Sequence, residues 1–207
     1  LHSKFTLGEF GDLQIDFTTP AAALPLRFDT EFSCPMEVND HNENSGLAAF
    51  CVAQGGNCSM DVQCGAEIAG GCKAKTSLGD NFVIPAGTFT KINVSAQTDI
   101  SYEGWAFALA GYGQINAKYG IRFRAPGIDK VVFTKELFAF APIIWFAHLN
   151  GNANNFVSQA SFNGNFPEGT TVTAQAQLEG FALSVPLLSL TLMYADTDNI
   201  DFIRLSA

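Results

Sequence analysis

Between residues 115 and 125 every second side chain is apolar: Ile115, Ala117, Tyr119, Ile121 and Phe123 alternate with Asn116, Lys118, Gly120, Arg122 and Arg124. A period of two fits an extended strand with one dry face and one wet face, and no helix. The same period recurs at 92–100, where Ile92, Val94, Ala96, Thr98 and Ile100 alternate with polar residues. It returns at 172–178 and, more weakly, over Phe156, Ser158, Ala160 and Phe162. Short strand-like runs also occupy 4–10, 13–18 and 27–32. Gly, Pro and Asn separate the runs at 85–87, 126–127, 150–152, 163–165 and 167–169, where turns are expected. Pro126-Gly127 reads as a hairpin connection. Capped helical periodicity is missing throughout, and 45–52 is the one stretch where a turn or two of helix fits. The chain is therefore expected to be all-β, with ten or more antiparallel strands in a single domain spanning 1–207. The architecture expected is a jelly-roll-like β-sandwich, with a closed β-barrel as the competitor.

The five cysteines, Cys34, Cys51, Cys58, Cys64 and Cys72, are confined to one short region and include no C-x-x-C pair. Zinc ligands normally come in close pairs, so disulfides are the better reading, within a loop-rich insert over 33–78. Disulfides place the chain in an oxidising compartment: secreted, periplasmic or at a cell surface. An odd count leaves one thiol free or paired between chains. The sequons at Asn57 and Asn93 are candidate glycosylation sites. The first residues lack the apolar core of a leader, which fits a mature chain.

Charge excludes one class of partner. The net charge is −9, with eight acids and two bases in the first 50 residues, so a phosphate backbone finds no basic stripe. Nucleic acid is not an expected partner. Nor is a spanning helix, since no apolar run reaches about 18 residues.

Residues 137–149 break the one-wet-face rule. Phe138, Phe140, Ile144 and Phe146 fall on one side of an extended chain, and Leu137, Ile143, Trp145 and Leu149 on the other. Pro142 cannot donate to a ladder and marks an edge or bulge there. Residues 104–110 are similar, with Trp105, Phe107 and Leu109 facing away from three alanines. A sandwich strand needs one apolar face; a second must be covered by something. Phe138, Phe140, Ile143, Ile144, Trp145 and Phe146 are accordingly the candidate assembly or ligand face. The nineteen Phe, against two Trp and four Tyr, point to packing or apolar contact more than to a sugar platform.

Motifs for catalysis are missing: there is no G-x-S-x-G, S-x-x-K, H-E-x-x-H or P-loop. His148 ends the apolar run and is read as a hydrogen-bonded strand-end residue, while His2 lacks the free α-amine of an N-terminal copper site. Glu103 and Glu179 each border an aromatic-rich strand and are the residual glycoside-hydrolase pair, if they meet across a cleft. The cation suited to the oxygen-rich clusters Asp40, Asn42, Asn44 and Asp196, Asp198, Asp201 is calcium, although the first departs from an EF-hand loop at the glycine and at the twelfth position. The other reading of both is a solvated acidic loop.

The expected function is that of a secreted, non-catalytic structural or adhesive subunit. It would form a homo-oligomer or polymer through its apolar strand face or by strand exchange. The alternative is a carrier whose Phe- and Ala-lined cavity holds a lipid or pigment. A membrane-active protein fits the cysteines and the acidic start less well.

Overall fold

The computed structural model describes residues 3–6, 12–15, 26–109, 111–140, 145–185 and 188–207; for 3–6, 12–15, Phe140 and Trp145 it describes the backbone only. Among these residues thirteen strands follow in order: β1 (Ser3–Thr6), β2 (Asp12–Ile15), β3 (Asp29–Phe32), β4 (Val38–Ser45), β5 (Ala49–Gly56), β6 (Ser59–Glu67), β7 (Gly71–Val83), β8 (Thr88–Ala108), β9 (Tyr112–Ala125), β10 (Ile128–Phe140), β11 (Trp145–Pro167), β12 (Thr171–Val185) and β13 (Ser189–Ser206). One sheet runs β10-β9-β12-β7-β4. The other runs β11-β8-β13-β6-β5, with β3 added beside the C-terminal end of β13. β1 and β2 form a two-stranded sheet of their own. All pairings are antiparallel, and the two large sheets stay open, so the sandwich expectation holds and the closed barrel does not.

Alternation explains how the sheets face each other. Ile115, Ala117, Tyr119, Ile121 and Phe123 are fully enclosed, as are Val172, Ala174, Ala176 and Leu178 on the neighbouring strand. From the other sheet come Ile92, Val94, Ala96 and Ile100. Phe123 ties the layers together: its ring stacks on Phe162 of β11 at 4.7 Å and meets Phe166 edge-on at 5.7 Å. Ala117 and Ala174 belong to one continuous buried core with these rings. Pro126-Gly127 makes the two-residue turn of the β9–β10 hairpin, and Gly127 takes the positive φ of 75° that a side chain would resist.

Four expectations are corrected. Residues 33–78 are no loop insert: they supply β4, β5, β6 and most of β7, and so fill the same edge of both sheets. The helical option at 45–52 falls on the turn into β5, which pairs with β6 from Ala49 onward. The Asn-rich segments at 150–155 and 163–165 are not turns. They lie inside the 23-residue β11, where the pairing with β8 shifts register between Ala153 and Phe156 and again between Asn163 and Phe166. Asn155 adopts φ 52° at the first shift, a conformation Asn tolerates better than most residues. The bulge also reverses parity, so that Ala153 and Phe156 both face inward. Finally, 137–149 is not one strand. β10 ends at Phe140 in one sheet and β11 begins at Trp145 in the other.

Candidate binding surface

The parity of β8 decides which residues reach the outside of the six-stranded sheet. Ile92, Val94, Ala96 and Ile100 face inward, and the strand continues unbroken to Ala108, so Ala106 and Ala108 are also buried. Trp105 and Phe107 are thereby turned to the outer face. The small residues fill the tight inter-sheet space, and the aromatics stand outside it. Neighbouring strands extend the pattern in register. Phe146, Phe107 and Leu190 form one row, and His148, Trp105 and Leu192 the next. Asn150, Glu103 and Tyr194 follow, and then Asn152, Ser101 and Asp196. On the far side Phe50 of β5 lies over Gly65 of β6, where a Cβ would stand 2.0 Å from the ring, so only glycine leaves room for it.

Polar contacts organise the lower rows. The His148 imidazole stacks on the Trp105 indole at 5.2 Å with 6° between planes. Its Nε2 lies 2.8 Å from Glu103 Oε1, so an N–H there donates to the carboxylate. Tyr194 donates its hydroxyl to Asp196 Oδ2 at 2.5 Å, and Ser101 donates to the other oxygen. Tyr194 divides two open clefts. One, of about 490 Å³, is bordered by Gln54, Asn57, Asp61, Asp196 and Asp198; the other, of about 440 Å³, by Ser101, Glu103, Asn150 and Asn152.

Like charges crowd this face, since Asp61, Glu67, Asp99, Glu103, Asp196 and Asp198 share it with two bases, Lys91 and Arg204. Burial, together with the nearby Asp196 charge, lifts the Asp61 carboxyl above the usual range despite a hydrogen bond from Gln63. Asp196 does the same to Asp198. Burial and the hydrogen bond to Asp196 raise the Tyr194 phenol. A carboxyl raised in the folded state contributes stability below its unfolded pKa of about 3.9 and loses it as the pH climbs through the folded value. Asp61→Asn is therefore expected to raise the melting temperature at neutral pH. The gain should vanish below about pH 3, where both forms are neutral. Thermal melts over that pH range check it, and a destabilised variant at neutral pH refutes it.

The remaining expected site residues are scattered. Glu103 and Glu179 stand on the outer faces of different sheets, pointing away from each other, so they form no catalytic pair; Glu179 instead pairs with Lys73 at 3.1 Å. Asp40, Asn42 and Asn44 lie along β4 and not in a loop, and Asp40 is held by Arg124 at 2.9 Å and Gln175 at 3.1 Å, with Arg122 at 3.5 Å. Asp196, Asp198 and Asp201 do not converge either: the last accepts from Gln97 at 2.9 Å and from Asn199. Among the described residues the one set of three ligand-type side chains that gathers is Cys51, Cys64 and Cys72.

Of the proposed apolar face, Phe138 is buried and Phe146 is 65% exposed. Ile143 and Ile144 lie outside the described residues, as do the side chains of Phe140 and Trp145. The sequon residues Asn57 and Asn93 are both exposed, though Asn93 accepts a hydrogen bond from Ser161 at 2.8 Å. No helix among the described residues is long and apolar enough to cross a membrane.

What the sequence reading missed is the β11 edge. Among the described residues β11 borders the six-stranded sheet with β8 on one side only, and its 23 residues include six Asn but no Asp, Glu, Lys or Arg. The edge strand of the other sheet, β10, carries Asp129, Lys130, Lys135 and Glu136. The signal was present as an uncharged run, but only pairing reveals that it lies at an edge.

No protein-family model matches the chain, and no curated protein matches it. Among solved structures the chain is similar to a family 11 carbohydrate-binding module from Clostridium thermocellum in complex with a β-1,3-1,4-mixed-linked tetrasaccharide, at 12% identity and a TM-score of 0.23, covering 86% of this chain and 94% of that one. It is similar also to a xylan-binding domain from Paenibacillus barcinonensis, at 12% and 0.21, covering 77% and 83%. A third is the C-terminal carbohydrate-binding module of a laminarinase from Zobellia galactanivorans, at 10% and 0.21, covering 87% and 100%. At these identities and scores nothing about a ligand transfers to this chain.

Proposed function

We propose that this chain is a non-catalytic, disulfide-stapled subunit, secreted or at a cell surface, that associates with copies of itself along the β11 edge. The observation that carries the reading is the uncharged 23-residue border strand. Sheet edges are normally guarded by charge, proline or brevity, because a row of unpaired N–H and C=O groups is a template for another strand. β11 has two bulges but no guarding charge. Its straight stretches, 145–153 and 156–163, each offer a ladder, with Asn, Ser and Gln side chains that meet their own kind without repulsion. Phe146, Leu149 and Val157, all exposed in the single chain, would be covered. Antiparallel pairing about a two-fold axis supplies both partners from one sequence. Sedimentation velocity over a wide concentration range tests this: dimers or larger species growing with concentration are expected, and a monomer throughout overturns it.

The clefts beside Tyr194 favour a second reading, a hydroxyl-rich ligand held by amides and carboxylates below the Trp105–His148 stack. The surplus of acids selects a neutral polymer over an anionic one. Retardation in gels containing xylan, galactan or mixed-linkage glucan, and none with polygalacturonate, is the expected result. Free migration in every neutral polymer removes this second reading.

A further inference from the structure

Three sulfurs, those of Cys51, Cys64 and Cys72, lie within 4.8 Å of one another. Cys51 and Cys64 are directly opposed on β5 and β6. Cys72 comes from β7 in the other sheet, with Cα–Cα separations of 5.7 Å to Cys51 and 5.5 Å to Cys64. Both separations fall inside the range of about 4.4–6.8 Å that a disulfide spans. Cys72 stands within bonding reach of both, yet its sulfur can form only one S–S bond. Cys34 and Cys58 are joined to each other, so the odd thiol of the chain belongs to this cluster.

We propose that the cluster is a thiol–disulfide exchange centre which presents Cys51 as a gated modification site. Cys72 keeps the bond between the sheets while Cys51 and Cys64 alternate as its partner. In one direction the Cys51 thiol gives its proton to water and attacks the Cys72 sulfur of the Cys64–Cys72 bond. The Cys51–Cys72 bond forms, the bond to Cys64 breaks, and Cys64 leaves as a thiolate that takes up a proton. One disulfide and one thiol are present before and after, so no external oxidant or reductant is consumed.

The two isomers differ in where the thiol stands. Cys64 is fully enclosed, whereas Cys51 is partly exposed on the border strand β5, its sulfur 3.2 Å from the Asn44 carbonyl oxygen. A small thiol-reactive molecule therefore meets Cys51 and not Cys64, and capping Cys51 traps the Cys64–Cys72 isomer. The link between sheets survives in either form, so the edge can be modified without severing the staple.

Non-reducing peptide mapping under acid, with N-ethylmaleimide as the probe, tests the centre. Brief labelling after denaturation should find one thiol per chain, divided between Cys51 and Cys64, with both Cys51–Cys72 and Cys64–Cys72 peptides present. Long labelling of the folded protein should place the whole label on Cys51 and leave only the Cys64–Cys72 peptide. Cys64→Ala should abolish labelling and leave Cys51–Cys72, and Cys51→Ala should abolish it and leave Cys64–Cys72. One fixed bond with the label always on the same cysteine overturns the proposal. So does a Cys51–Cys64 bond with Cys72 free, or three reduced thiols that retain zinc in native mass spectrometry.

Discussion

Val157→Lys is expected to leave the chain monomeric at concentrations where the parent associates, weakening self-association at least tenfold, about 1.4 kcal/mol. Val157 is 47% exposed and lies in the second straight stretch of β11, opposite Gln97 of β8. A lysine there gains water and displaces nothing in the core, so the fold bears little cost. In an antiparallel pair about a two-fold axis each copy brings the new ammonium group to the shared edge. Strands in a sheet stand about 4.8 Å apart, so each ammonium group stands against the partner strand and guards the edge as charged side chains do. Sedimentation velocity reads the loss, and an unchanged circular dichroism spectrum and melting temperature certify the fold. Undiminished association in this variant would mean that copies meet somewhere other than β11.

Phe123→Ala is expected to destabilise the chain by about 3–5 kcal/mol, the usual cost of removing a large ring from a filled core. Phe123 is fully enclosed and belongs to β9, while both rings it touches, Phe162 and Phe166, belong to β11 of the opposite sheet. The substitution thus opens a hole at the seam of the two layers, where neither sheet can collapse without carrying its neighbours along. Denaturant unfolding should show a lower midpoint with the slope unchanged. A loss under about 1 kcal/mol would mean that the seam repacks around the gap.

Strand periodicity was legible where a strand was half-buried and uninterrupted, as at Ile115 to Phe123 and at Val172 to Leu178. It became misleading where the structure changes parity or sheet. Asn154 and Asn155 look like a turn, because the residue that best tolerates a turn also best tolerates a bulge. Leu137 to Leu149 looks like one strand with two apolar faces, because Pro142 marks a break without saying that the chain leaves one sheet for the other. The cysteine region reads as a disulfide-pinned loop, yet its strands close the edges of both sheets and gain their order from pairing with β7 and β13.

The candidate surface was less legible than the fold. Trp105 and Phe107 were visible as an aromatic face, but their outward direction follows from the unbroken run of β8 back to Ile92. Glu103 and Glu179 drew attention by their aromatic neighbours, and the layering of the sheets sends them to opposite sides of the molecule.

By itself the sequence determined the class of structure, the disulfide-bearing region and the inward face of each regular strand, because alternation is a local property carried by neighbours two residues apart. Only the tertiary structure decided which strand borders which. It placed the uncharged Trp145–Pro167 strand at an edge, set Tyr194 between two clefts, and brought Cys72 across to Cys51 and Cys64. The first two depend on hydrogen-bonded pairing between segments far apart in the chain, and the third on the packing of one sheet against the other; no pattern of adjacent residues encodes either.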